Sequence, residues 1–294
     1  MNTAGGILVL LITGLSGEPR FATAFHAAAA SVYDAARTKW GVADSGLTYL
    51  AEDPALDVAR ITGRGTRDGV AAAFATLARR SEAGDVILVM LLGHGSGQGA
   101  DSRLSLPGPD ASAADFTSWL APLVGRTVVL VNAASGSGDF IAAVAGPDRL
   151  VVTATKNSTQ RNETVFAEHF ARGLTSDAGD ADKDGRVTIL EAFSFARREV
   201  QKAYDTKNNL LTEHAQIGDS ALARTIAFGT APASRDPRVV ALMAARRGLE
   251  LQVDALRRKK GAMDSVAYER ELERLLLEIA EKTMEIRAAE GRRP

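Results

Sequence analysis

Two glycine-rich stretches hold the side chains best suited to acyl-transfer chemistry. In the first, GHGSGQG, His94 stands between Gly93 and Gly95 directly after the apolar run VILVMLL. In the second, ASGSG, Ser135 comes three residues past the run VVLVN, and Ser137 follows it. An imidazole within hydrogen-bond reach of a hydroxyl can take its proton as the oxygen attacks a carbonyl. The glycines at 95, 136 and 138 suit that use, because small residues leave the approach open and expose backbone N–H groups to a developing oxyanion. Spacing alone also fits two tight turns that carry incidental polar residues.

The loops can cooperate only if their strands are neighbours. Apolar runs rich in Val, Ile and Leu recur at 7–13, 47–50, 86–92, 128–132 and 150–155, and segments of helical period lie between them at 21–39, 69–80 and 114–123. This alternation predicts an α/β domain with a mainly parallel sheet covered by helices on both faces, over residues 1–230, closing with a strand at 225–228. In such sheets, ligands gather at the carboxyl ends of the strands, which is where His94 and Ser135 fall. Beyond the loop TAPASRDPR, apolar residues at Val239, Leu242, Leu249, Val253 and Leu256, a break at Gly261, and Leu272, Leu275, Ile279 and Ile286 predict a helical hairpin over 231–294. It either packs back on the first domain or joins another chain, a partner or a second copy.

Pattern argues against other chemistries. GHGSGQG lacks the spacing of a dinucleotide fingerprint, no GxxxxGK[ST] run exists, and neither Ser96 nor Ser137 sits in GxSxG. A strand ending in His-Gly, followed one strand later by Ala-Cys-x-Ser-Gly, marks the caspase-like cysteine peptidases, which include caspases, gingipains and legumain. With LLGHGSG and Ala134-Ser135-Gly136-Ser137-Gly138, this sequence resembles the legumain-like branch over most of residues 6–228. RLSLPGPD, ADFTSWL and LVVTATK add to the resemblance, and TATKxxxxRNET with a following DKDG loop is similar to uncharacterised bacterial relatives. The resemblance implies a caspase-like three-layer sandwich and an endopeptidase acting on a peptide or protein substrate. His94 would be the base, and the N–H groups of Gly95 and Ser135 would hold the oxyanion. Glu18 would orient the histidine, Arg20 would line the primary pocket, and Thr153, Ala154 and Thr155 would form its wall. The chain departs from the family at two positions. Ser135 replaces the nucleophilic cysteine, so a hydroxyl must be activated where a thiol of pKa about 8.5 would ionise readily. Ala133 stands where the legumain branch has an acidic pocket residue. Ser135 is a native nucleophile, the relic of an inactive peptide-binding pseudo-peptidase, or an engineered replacement.

Residues 180–191, DADKDGRVTILE, fit a calcium-binding EF-hand loop. Asp180, Asp182 and Asp184 offer carboxylates, Gly185 the sharp turn, Arg186 its carbonyl, Thr188 the water-bridged position and Glu191 a bidentate carboxylate. The same residues also suit a metal-free turn that caps the following helix.

Charge is balanced, with 35 basic against 36 acidic residues, so bulk electrostatics point to neither nucleic acid nor an anionic membrane. The run ILVLLITGL is too short to span a bilayer and lacks the basic start and cleavage site of a signal peptide. A cytoplasmic chain, or an exported one without its signal, is the expectation. Cysteine is absent, which excludes disulfides, zinc–thiolate sites and a thiol nucleophile.

Overall fold

A computed structural model describes residues 6–229, 236–258 and 263–289. The chain divides into two compact units, residues 1–230 and 231–294.

In the first unit the strands, in chain order, are β1 (Ile7–Thr13), β2 (Leu47–Ala51), β3 (Gly63–Arg64), β4 (Val86–Leu92), β5 (Gly95–Ser96), β6 (Arg103–Leu104), β7 (Ala111–Ser112), β8 (Thr127–Asn132), β9 (Arg149–Thr153), β10 (Val187–Thr188), β11 (Gln216–Ile217) and β12 (Ala227–Phe228). The helices are α1 (Pro19–Thr38), α2 (Arg67–Arg80), α3 (Ala113–Leu120), α4 (Phe140–Val144), α5 (Phe166–Thr175), α6 (Ile189–Thr206) and α7 (Ser220–Thr225). Seven strands form the central sheet in the order β11-β9-β8-β4-β1-β2-β3. All its pairings are parallel except that of β11 on β9. The predicted mainly parallel α/β sheet is thus observed.

The continuous apolar runs reflect burial on both faces of the sheet. Val9, Leu11, Leu88, Met90, Val129 and Val131 point into one core, shared with Phe25, Phe166, Phe170 and Ile189 of α1, α5 and α6. Leu8, Leu10, Ile87, Val89 and Leu130 point into the other, against Phe74 of α2, Phe116 of α3 and Phe140 of α4. Each such side chain contributes about 1.5–3 kcal/mol of transfer free energy. Helix starts follow the capping rules. Pro19 occupies the first turn of α1, and the Ser112 and Asp115 side chains of α3 bond each other's backbone N–H groups. Arg67 beside Asp115 holds that carboxyl at about 2.

The predicted closing strand at 225–228 requires correction. The Asp219 side chain accepts from Ala221 N and Leu222 N, which starts α7, so Thr225 is helical. Ile226 is extended, but the strand itself is only Ala227–Phe228, and it pairs antiparallel with β10 outside the central sheet, with Phe228 against Trp40 at 4.7 Å.

The second unit contains α8 (Pro237–Arg258) and α9 (Ser265–Ala289). Val253, Leu256, Tyr268 and Leu275 share one apolar cluster, joined by Leu249, Leu272 and Ile279, as a hairpin requires. The predicted break at Gly261 lies outside the described residues. No described helix is long and apolar enough to cross a membrane.

Candidate active site

Four parallel strands end side by side, and each releases a loop. The loop after β1 is bolted residue by residue to different elements. Gly14 N donates to Leu92 O at 2.9 Å and Leu15 N to Ser105 O at 2.9 Å. Ser16 N and Ser16 Oγ both donate to Glu52 Oε2, just past β2, at 2.9 and 2.8 Å. Ser105 also donates its N–H to His94 O at 2.9 Å, so one residue ties this loop to the histidine loop.

His94 leaves β4 half-buried, edge-on to Phe21 at 4.8 Å and to Phe25 at 5.5 Å. Its Nε2 lies 3.1 Å from Ser16 O. A carbonyl only accepts, so Nε2 carries the proton and Nδ1 is the basic nitrogen. The structure does not bring Glu18 to the histidine. Its exposed carboxylate pairs with Arg20 at 2.9 Å, and a backbone carbonyl holds the histidine.

The serine loop after β8 is locked by its backbone. Gly136, at φ +62° in the left-handed region, donates its N–H to Gln160 O at 2.8 Å. Ser137 is 1% exposed, accepts from Ala154 N at 3.1 Å and meets Thr155 Oγ1 at 3.3 Å. That makes it a brace for the loop. Ser135 is 5% exposed, and its Oγ accepts from Gly95 N at 3.3 Å. The two loops touch backbone to backbone, since a Cβ on Gly95 would stand 2.3 Å from Ser135 O. Asp139 Oδ2 accepts from Gly99 N at 2.7 Å, a second tie between the loops.

The expected pocket residues separate. Thr153 and Thr155 turn their hydroxyls inward, Thr153 Oγ1 to Thr155 O at 2.9 Å and Thr155 Oγ1 to Asn157 O at 3.2 Å, and Thr155 Oγ1 accepts from Gly138 N at 3.1 Å, so Thr155 supports the serine loop. Ala154 alone of the three lines a cavity of about 350 Å³, with Lys156, Phe166, Arg197, Glu213 and His214. Arg20 lies over the Phe21 ring at 4.4 Å, pairs with Glu163 at 3.4 Å and lines a separate cleft of about 240 Å³ with Tyr204 and Lys207.

Residues unremarkable in the sequence support this region. Thr164 Oγ1 donates to Ala133 O at 3.0 Å. Glu213, 2% exposed, accepts from Val165 N at 3.0 Å and Phe166 N at 3.2 Å, which caps α5. Burial pushes its carboxyl up to about 7, although both N–H donors and Tyr204 act the other way.

In the calcium-type loop, one carboxylate oxygen from each of Asp180, Asp182 and Asp184 lies within 4.8 Å of the others, a group that could hold a metal ion. All-oxygen donors suit a hard cation. Asp180 is 8% exposed and accepts from Asp184 N and Gly185 N, which wraps the loop around it. Glu191 already uses both oxygens. Oε1 accepts from Ala181 N at 3.0 Å, and Oε2 accepts from Thr188 N and Thr188 Oγ1, each at 2.8 Å. Thr188 is the N-cap of α6.

No family model matches the chain, and no curated protein matches it. A crystal structure of protein GSU0716 from Geobacter sulfurreducens is similar over 77% of this chain and 98% of that chain, at 14% identity and a TM-score of 0.48.

Proposed function

We propose that the first unit is a caspase/legumain-like hydrolase domain that cleaves peptide bonds through Ser135. The observation that supports this reading most directly is the Gly95 N–H on Ser135 Oγ at 3.3 Å, which ties the serine hydroxyl to the backbone of the residue that follows His94 in the chain. His94 Nδ1 takes the hydroxyl proton as Oγ bonds the carbonyl carbon, and Gly95 N–H and Ser135 N–H receive the oxyanion. The C–N bond then breaks, the proton passes from His94 to the leaving amine, and water activated by His94 hydrolyses the acyl-enzyme. The seven-strand sheet with both loops on the neighbours β4 and β8 supports the caspase-like three-layer arrangement.

A second reading, a pseudo-peptidase that binds a peptide or partner, draws on the near-complete burial of Ser135. A fluorophosphonate probe separates the two. Under the hydrolase reading it labels the chain, and labelling is absent in Ser135→Ala and weakened in His94→Ala. A chain that stays unlabelled with and without calcium is a binding module. Val266, Leu277 and Met284 of α9, at 62, 59 and 57% exposed, support the tail as an association element.

Calcium in this reading braces the loop. Asp180, Asp182, Asp184, the Arg186 carbonyl and Glu191 would hold it, and it supplies no chemistry at Ser135. Saturating calcium is expected to raise the melting temperature of the wild type, by about 2.7 kcal/mol equivalent at a hundred times the dissociation constant, and to leave Asp180→Asn unmoved. A metal-insensitive wild-type melt would assign the loop to capping α6 alone.

A further inference from the structure

We propose that Glu52 is a positioning residue for His94, acting through Ser16. Nothing in the sequence ties these three residues together, and the geometry does. The His94 ring has one hydrogen-bonded nitrogen, and its partner is the Ser16 carbonyl at 3.1 Å. Ser16 is fixed by a single carboxylate oxygen, Glu52 Oε2, which receives both its N–H and its hydroxyl. Gly17, at φ +72°, turns the chain immediately afterwards, so without those two bonds residue 16 is held among the described hydrogen bonds by its own carbonyl on His94 and by Gly14 N and Leu15 N just before it. Phe21 and Phe25 confine the ring edge-on but offer no hydrogen bond, so they leave its tautomer open. The choice of Nε2 as the protonated nitrogen falls to the Ser16 carbonyl, and Glu52 sets where that carbonyl stands.

The inference rests on the hydrolase reading for its consequence, since only a base needs Nδ1 kept free, yet it can be read without catalysis. Long-range proton–nitrogen NMR on the full chain, above the ring's titration, reports the His94 tautomer directly. The wild type is expected to show the Nε2–H form. Glu52→Ala is expected to show a mixture of both tautomers and a fluorophosphonate labelling rate lower by about 10²-fold. Glu52→Gln keeps an oxygen able to accept from both Ser16 donors, so the tautomer and most of the rate are expected to return. Should Glu52→Ala fail to fold, Glu52→Asp, one methylene short, carries the same measurement. A His94 tautomer unchanged in Glu52→Ala or Glu52→Asp overturns the proposal. A wild type that takes no label while its tautomer still responds to Glu52 overturns the hydrolase reading and leaves the positioning role standing.

Discussion

Alanine at Gly95 is expected to destabilise the first unit by about 3 kcal/mol and to slow fluorophosphonate labelling of Ser135 by about 10³-fold. The cause is space, since the new Cβ would meet Ser135 O at 2.3 Å and Arg103 O at 3.0 Å. Both obstacles are backbone atoms, one in the serine loop and one in β6, so no side chain can rotate out of the way. Relief comes only by parting the two loops, which withdraws Gly95 N–H from Ser135 Oγ and, under the hydrolase reading, removes an oxyanion donor. Urea denaturation and labelling kinetics on the same preparation give both numbers. Gly248→Ala is the control, because that glycine lies in α8 with open space around it, and the change there is expected to be neutral or stabilising. A Gly95→Ala chain with wild-type stability and labelling within twofold would show that the loops do not meet as described.

The second large effect is a stability that falls as pH rises. Glu213 moves from 4.5 in the unfolded chain to about 7 in the fold. A carboxyl raised in this way binds its proton more tightly when folded. Its contribution is complete below pH 4.5 and is lost as pH climbs through 7. The shift corresponds to roughly 3 kcal/mol. Glu163, Tyr204, Lys156, Arg197 and His214 share its surroundings, so the wild-type curve alone does not isolate it. The difference between wild type and Glu213→Gln does. Denaturation free energies between pH 4.5 and 8.5 are expected to converge or cross because only the wild type carries this slope, and parallel curves would remove Glu213 as the cause.

The parts of the fold that were legible are those whose physics is local. The runs at 7–13 and 86–92 coincide with β1 and β4, because a strand buried on both faces is apolar at every position. The histidine and serine loops stood out through their glycines, which close backbone approach demands at Gly95 and a left-handed conformation at Gly136. The histidine's partner was not legible, since a carbonyl has no residue identity, and Glu18 came only from the resemblance to the legumain-like branch. The inward turn of Thr153 and Thr155 depends on the packing of the serine loop beside them, a tertiary outcome. β11 is two residues of no recognisable period, and the strands at 95–96, 103–104 and 111–112 are equally short, so no pattern could announce them.

The two rims of the central sheet have a consequence for the solution behaviour of the chain. β3 and β11 are each two residues long, whereas β1 and β4 at the centre have seven. A foreign strand arriving at either side finds almost no ladder to extend, and the most fibril-prone sequences, ILVLLIT and VILVMLL, are sealed in the middle. Aggregation should therefore await global unfolding, with thioflavin fluorescence rising only above the melting transition.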